Sequence, residues 1–122
     1  MIGTGKPGIP IVVNNRALSL RLTFASLMAV ERATGISVMA LTPSNFGFMV
    51  IGALFWAGLG NQIPGLTLDQ AAEMLQEHVE AGHSFAPIVD AISEALDRSG
   101  LLQAARGNAP GPDVTLSEND GK

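Results

Sequence analysis

Catalysis and metal binding need particular side chains at particular spacings, and this chain offers few of them. Its only histidines are His78 and His83, and it has no cysteine. A separation of five puts the two imidazoles off a common helical face, and Gly82 lies between them. The zinc signature of two histidines four apart with a glutamate between them is absent. Glu77, Glu80 or Asp90 would have to join a histidine to complete a metal site. The simpler expectation is two solvent-exposed residues near a helix end, and no metal. No serine sits in a nucleophile-elbow motif, although a triad is defined by geometry rather than by order in the chain. Gly58-Leu59-Gly60 lacks the third glycine and the preceding strand of a dinucleotide fingerprint. The segment from Met1 to Lys6 ends in Gly-Lys but lacks the first glycine of a phosphate-binding loop. The expectation is a protein without catalytic residues and without a cofactor, that is, not an enzyme.

Two other features invite a functional reading. Glu31 stands four residues after Leu27 and three after Met28, on the apolar stripe of an expected helix. A buried carboxylate is costly unless paired or hydrogen-bonded. Arg21, Arg32 or a helix N-terminus would supply the partner, making Glu31 a structural anchor; alternatively it sits at the edge of the stripe and reaches water. The second feature is a concentration of aromatic residues and methionine: Phe46, Phe48, Met49, Phe55 and Trp56. No single helix places all five on one side. Core packing accounts for some, and a groove for an apolar partner helix accounts for the rest, since methionine and aromatics adapt to varied partners.

The elements that must position these residues follow from periodicity. The stretch from Ile9 to Val13 is apolar and β-branched, and Pro10 favours an edge position. Asn14-Asn15 suits a tight hairpin turn. Beyond it Leu18, Leu20 and Leu22 alternate with Ser19, Arg21 and Thr23, the pattern of a half-buried strand. Thr23 is placed to cap a first helix from Phe24 to about Thr34, with Leu27, Met28 and Ala33 inward and Gly35 as its stop. Residues 36–41 allow one further turn. Thr42-Pro43 opens a second helix to about Leu59, apolar nearly all round. Thr67 and Gln70 make a capping box for a third helix, Leu68 to about Ala81, with Leu68, Ala71, Ala72, Leu75 and Val79 as its buried stripe. Ser84 is placed to cap a fourth, Phe85 to about Ser99, with Phe85, Ile88, Val89, Ile92 and Leu96 inward and Gly100 as its stop.

Together these predict a mainly α (α+β) fold: an N-terminal β-hairpin, a compact bundle of about four helices, and a disordered C-terminal tail. Residues 1–8 read as a flexible arm, 9–106 as a single helical domain, and 107–122 as the tail, which is polar and rich in glycine, proline and acid. With 122 residues the chain is long enough to bury a core without staples. Charged residues make up only 15%, a lean surface that leaves apolar area for a partner. Residues 1–60 carry four basic residues and one acid, whereas residues 61–122 carry ten acids and three basic residues. That acidic half argues against a nucleic-acid partner, which requires a basic patch. The most apolar run, residues 46–59, is too short for a membrane span and contains three glycines.

The order of short motifs resembles that of the tail assembly chaperones of tailed phages, in particular the gene-transfer-agent type. The segments that carry the resemblance are Leu20-Arg21-Leu22-Thr23-Phe24, Ala29-Val30-Glu31, Thr34-Gly35-Ile36-Ser37, the apolar Ile51 to Leu59, Thr67-Leu68, and Ile92 to Leu96. With the short β element that precedes them, the resemblance covers about residues 9–103. The resemblance implies a protein that binds the apolar, helical tape measure protein, keeps it soluble and helps recruit tail tube subunits. It also implies multimers of the chain along the tape measure, action in the cytoplasm of the bacterial host, absence from the finished particle, and in many members a longer frameshifted form. The rival readings are a structural tail component such as a tube or completion protein, a small enzyme with a hidden site, and a helical adaptor unrelated to phages.

Overall fold

The computed structural model describes residues 8–105. The tail expected at 107–122, and all but Gly8 of the arm, lie outside the described residues. The chain forms strands β1 (Ile9–Val13) and β2 (Arg16–Leu20), then helices α1 (Phe24–Thr34), α2 (Phe48–Gly58), α3 (Leu68–Glu80), α4 (Ala86–Ser99) and α5 (Leu101–Ala105). Two single 3-10 turns, Val38–Ala40 and Pro43–Asn45, connect α1 to α2. The fold is therefore mainly α with one N-terminal hairpin.

The hairpin closes as its turn residues require. Asn14 and Asn15 have φ of 49° and 68°, the pair of positive values that matches the twist of a two-residue connection. The strands pair antiparallel, with Ile9 opposite Leu20, Ile11 opposite Leu18 and Val13 opposite Arg16. Ile9, Ile11, Val13, Leu18 and Leu20 are all buried, so one face of the ribbon is covered. A lone hairpin is barely stable in water. Each buried aliphatic side chain contributes about 1.5–3 kcal/mol, so the helices beneath the ribbon hold it in place. α4 packs across β1, and α2 reaches β2.

The outer edge of β2 is also occupied. Ser19 donates its backbone N–H to Gln62 Oε1 at 2.7 Å. Just past the strand, Arg21 donates its N–H to the Gly58 carbonyl at 3.0 Å. Gly58 is what lets α2 come this close: a Cβ there would lie 2.9 Å from Leu20 Cδ2.

α1 begins and ends where its capping residues require. Thr23 Oγ1 accepts from the Ser26 N–H at 3.2 Å, and Ser26 Oγ accepts in return from the Thr23 N–H at 3.1 Å. Gly35 adopts φ 71°, the left-handed conformation that turns the chain out of the helix. The buried side differs from expectation. Leu27 and Val30 face the core, and Met28 is 46% exposed.

α2 starts later than Thr42-Pro43 suggests. Asn45 Oδ1 takes the Thr42 N–H at 2.7 Å, and its Nδ2 donates to the Ala40 carbonyl at 3.0 Å. That side chain completes a self-contained turn, and the helix restarts at Phe48 with Gly47 as its N-cap. Once begun, α2 is the centre of the molecule, packing against both α1 and α3. Ala53, Leu54 and Phe55 have no exposed surface.

α3 carries the expected capping box, with Thr67 and Gln70 each accepting from the other's backbone N–H. α4 buries Ile88, Ala91, Ile92, Ala95 and Leu96. Gly100 breaks it in the left-handed conformation, and the chain re-enters a helical turn as α5, an element that sequence reading missed because Gly100 reads as a final stop. Among the described residues, no helix is long and apolar enough to cross a membrane.

Candidate partner-binding surface

The five aromatic and methionine residues do not converge. Phe55 is fully buried in the core, so it contacts no partner in this conformation, which corrects the expectation that it lines a groove. Trp56 is half-buried, and its indole Nε1–H donates to the Leu66 carbonyl at 2.8 Å, pinning the α2–α3 connection. Phe46 packs against the core beside Leu41 and Val89. Phe48 and Met49 remain outward, 85% and 55% exposed.

The reason lies in the helix start. Phe48 and Met49 lie on the outward side of the first turn of α2, whose other two residues, Val50 and Ile51, are buried, whereas Phe55 and Trp56 sit two turns deeper. Phe48 flanks a trough of about 550 Å³ between α2 and α3, lined by Ile51, Gly52, Ala72, Leu75, Gln76, Val79 and Phe85. Sequence reading placed Ala72 and Val79 in the buried stripe of the third helix. Both are exposed, Val79 by 50%, and they form a wall of this trough.

A second apolar region lies on α1. Phe24 is 68% exposed, Met28 46% and Met39 50%. With Leu27, Leu101 and Leu102 they border a smaller depression of about 150 Å³.

Glu31 sits at the rim of that depression and is exposed. Its Oε2 accepts from the backbone N–H of Val38 at 2.8 Å. Val38 is the first residue of a 3-10 turn, where an unpaired N–H is available to a carboxylate. The contact ties the end of α1 to the segment that follows it.

The histidines are placed otherwise than expected. His78 is 6% exposed and occupies the position on α3 facing the hairpin. Its Nδ1 accepts from the Asn14 N–H at 2.8 Å, and its Nε2 lies 3.0 Å from the Ser84 carbonyl. A backbone N–H can only donate, so Nδ1 carries no proton and Nε2–H donates to Ser84. His83 stacks on it with ring centroids 4.8 Å apart. Both nitrogens of His78 are thereby engaged in holding loops together. Among the described residues, no group of three or more His, Asp or Glu side chains is arranged to hold a metal ion.

Charge is unevenly spread around the trough. The outward side of α3 carries Asp69, Glu73, Glu77 and Glu80, all exposed. α2 has no charged residue. Comparison with protein-family models, curated proteins and solved structures finds no match for this chain.

Proposed function

We propose that this chain is a tail assembly chaperone of the phage and gene-transfer-agent type. It binds the apolar helical tape measure protein, keeps it soluble and assists the recruitment of tail tube subunits. On this reading it acts in the bacterial cytoplasm, multimerises along its client and is left behind by the finished particle. The observation that carries the proposal is the 85% exposure of Phe48, beside Met49, in the first turn of a largely buried helix. A large aromatic kept in water on a small domain is readily explained by a partner that covers it. The motif order from Leu20 to Leu96 supports the same reading, as does the acidic side of α3, which keeps a complex with an apolar client soluble.

Co-expression with the tape measure protein encoded beside it tests the proposal. A soluble, co-purifying tape measure protein is the expected result. An insoluble, unbound one alongside a folded chain overturns the proposal and favours a structural tail component.

A further inference from the structure

Gly52 lies in the middle of α2, where glycine is a poor helix former. Its backbone gives no reason for the choice, since it is helical and without a positive φ. Packing gives none either: among the described residues, and apart from its own stretch of helix backbone, a Cβ built at Gly52 meets no atom within 4 Å. The missing side chain instead opens the trough between α2 and α3, which Gly52 lines together with Ile51, Leu75 and Val79. The contrast with Gly58 is direct, because there a Cβ runs into Leu20.

One long side of this trough is acidic. Asp69, Glu73 and Glu80 are spaced by four and seven residues, so they share a strip of α3 beside the trough-lining Ala72, Gln76 and Val79. Gln76, which lines the trough, donates its Nε2–H to Glu80 Oε2 at 2.8 Å and holds that carboxylate near the rim. The opposite side, formed by α2, is uncharged. α3 is 13 residues long, about 20 Å at 1.5 Å per residue, enough to accept three to four turns of a second helix.

We infer that the α2–α3 trough takes a single amphipathic helix that seats a large apolar side chain over Gly52 and sets lysine or arginine residues along the Asp69–Glu73–Glu80 strip. This deepens the chaperone reading and rests on it for the source of the helix: a client segment with an apolar stripe and one basic flank. The charge asymmetry also fixes direction, because turning the client helix end for end moves its basic flank over uncharged α2.

The test uses the full chain and two fluorescein-labelled amphipathic peptides of roughly 18 residues, a length that spans the trough with a turn to spare. Both carry a leucine stripe; one has lysines along a flank and the other glutamates. Fluorescence anisotropy is expected to show the lysine peptide binding at least about tenfold tighter, with the difference shrinking as salt rises. Gly52→Leu, whose new side chain enters the trough, is expected to weaken binding by about tenfold or more, with an unchanged circular dichroism spectrum. Met28→Ser, on the other apolar region, is expected to leave binding unchanged. Equal affinity for the two peptides, or undiminished binding by Gly52→Leu, overturns the inference. So does a dimer of this chain, seen by light scattering, that Gly52→Leu dissociates, because the occupant is then a second copy. Tape measure co-purification separates the two claims. If Gly52→Leu retains the client as well as wild type does, the trough assignment falls and the chaperone reading stands. If the peptides behave as expected and the wild-type chain fails to hold the client, the trough stands and the chaperone reading falls.

Discussion

His78 and Asn14 are joined across 64 positions of sequence by a 2.8 Å hydrogen bond from the Asn14 N–H to the imidazole Nδ1. The same ring donates to the Ser84 carbonyl. One side chain therefore connects the hairpin turn, α3 and the loop into α4. Replacing it with phenylalanine keeps a planar ring in the site but leaves the N–H and the carbonyl without their partner. The expected loss is about 1–3 kcal/mol, read as a lower urea midpoint with an unchanged slope. His83→Ala, which removes only a stacking neighbour, is expected to lose less than about 1 kcal/mol.

Phe48 and Phe55 lie seven residues apart on one helix and should respond in opposite ways. Phe55 has no exposed surface. Its truncation to alanine is expected to cost about 3–5 kcal/mol, a large share of the 5–15 kcal/mol that holds a typical domain folded. Phe48→Ala, at an 85% exposed site, is expected to stay within about 0.5 kcal/mol of wild type while reducing client co-purification. Urea titration and pull-down on the same two variants check the pair.

Much of this fold is legible in the sequence where a local signal decides the outcome. Asn14-Asn15 determines the hairpin turn, Gly35 the end of α1, and Thr67 with Gln70 the start of α3, because in each the deciding contacts lie within a few residues. The candidate site is less legible. α2 is apolar on all sides, so periodicity cannot say that Phe48 faces water and Phe55 the core. The start of α2 depends on Asn45 bonding back to Ala40 and Thr42, which turns a plausible helix start into an isolated turn. His78 looks like a polar residue near a helix end until Asn14 arrives from the far end of the domain. Val79 fits a buried stripe by spacing, but among the described residues no element covers that part of α3, and a trough lies there instead.

Glu31 provides a test that does not depend on global stability. Its carboxylate holds the Val38 N–H at 2.8 Å. Glu31→Ala is expected to speed hydrogen exchange at the Val38 amide, while Glu31→Gln, which keeps an acceptor oxygen at the same reach, preserves most of the protection. Amide exchange followed by NMR distinguishes the two, and equal exchange in both variants counts against the anchoring role.

Gly52→Ala should separate stability from binding. The helix gains about 0.5–1 kcal/mol from alanine over glycine, and the added methyl meets no neighbour. A higher unfolding temperature together with weaker binding of the lysine-flanked peptide is the expected result. A higher unfolding temperature with unaltered binding means that one methyl group is too small to obstruct the trough, and Gly52→Leu then carries the test alone.

The hairpin has a consequence in time. Its apolar face is covered largely by α4, and the outer N–H of Ser19 is satisfied by Gln62. Ribosomes add about 5–20 residues per second, so several seconds separate the synthesis of β1 from that of α4. During that interval Ile9 and Ile11 lack the cover that α4 gives them, and the edge of β2 stays open until Gln62 has been made. The newborn chain thus passes through a stage in which it is itself an apolar client, before it acquires the shape proposed here for shielding another.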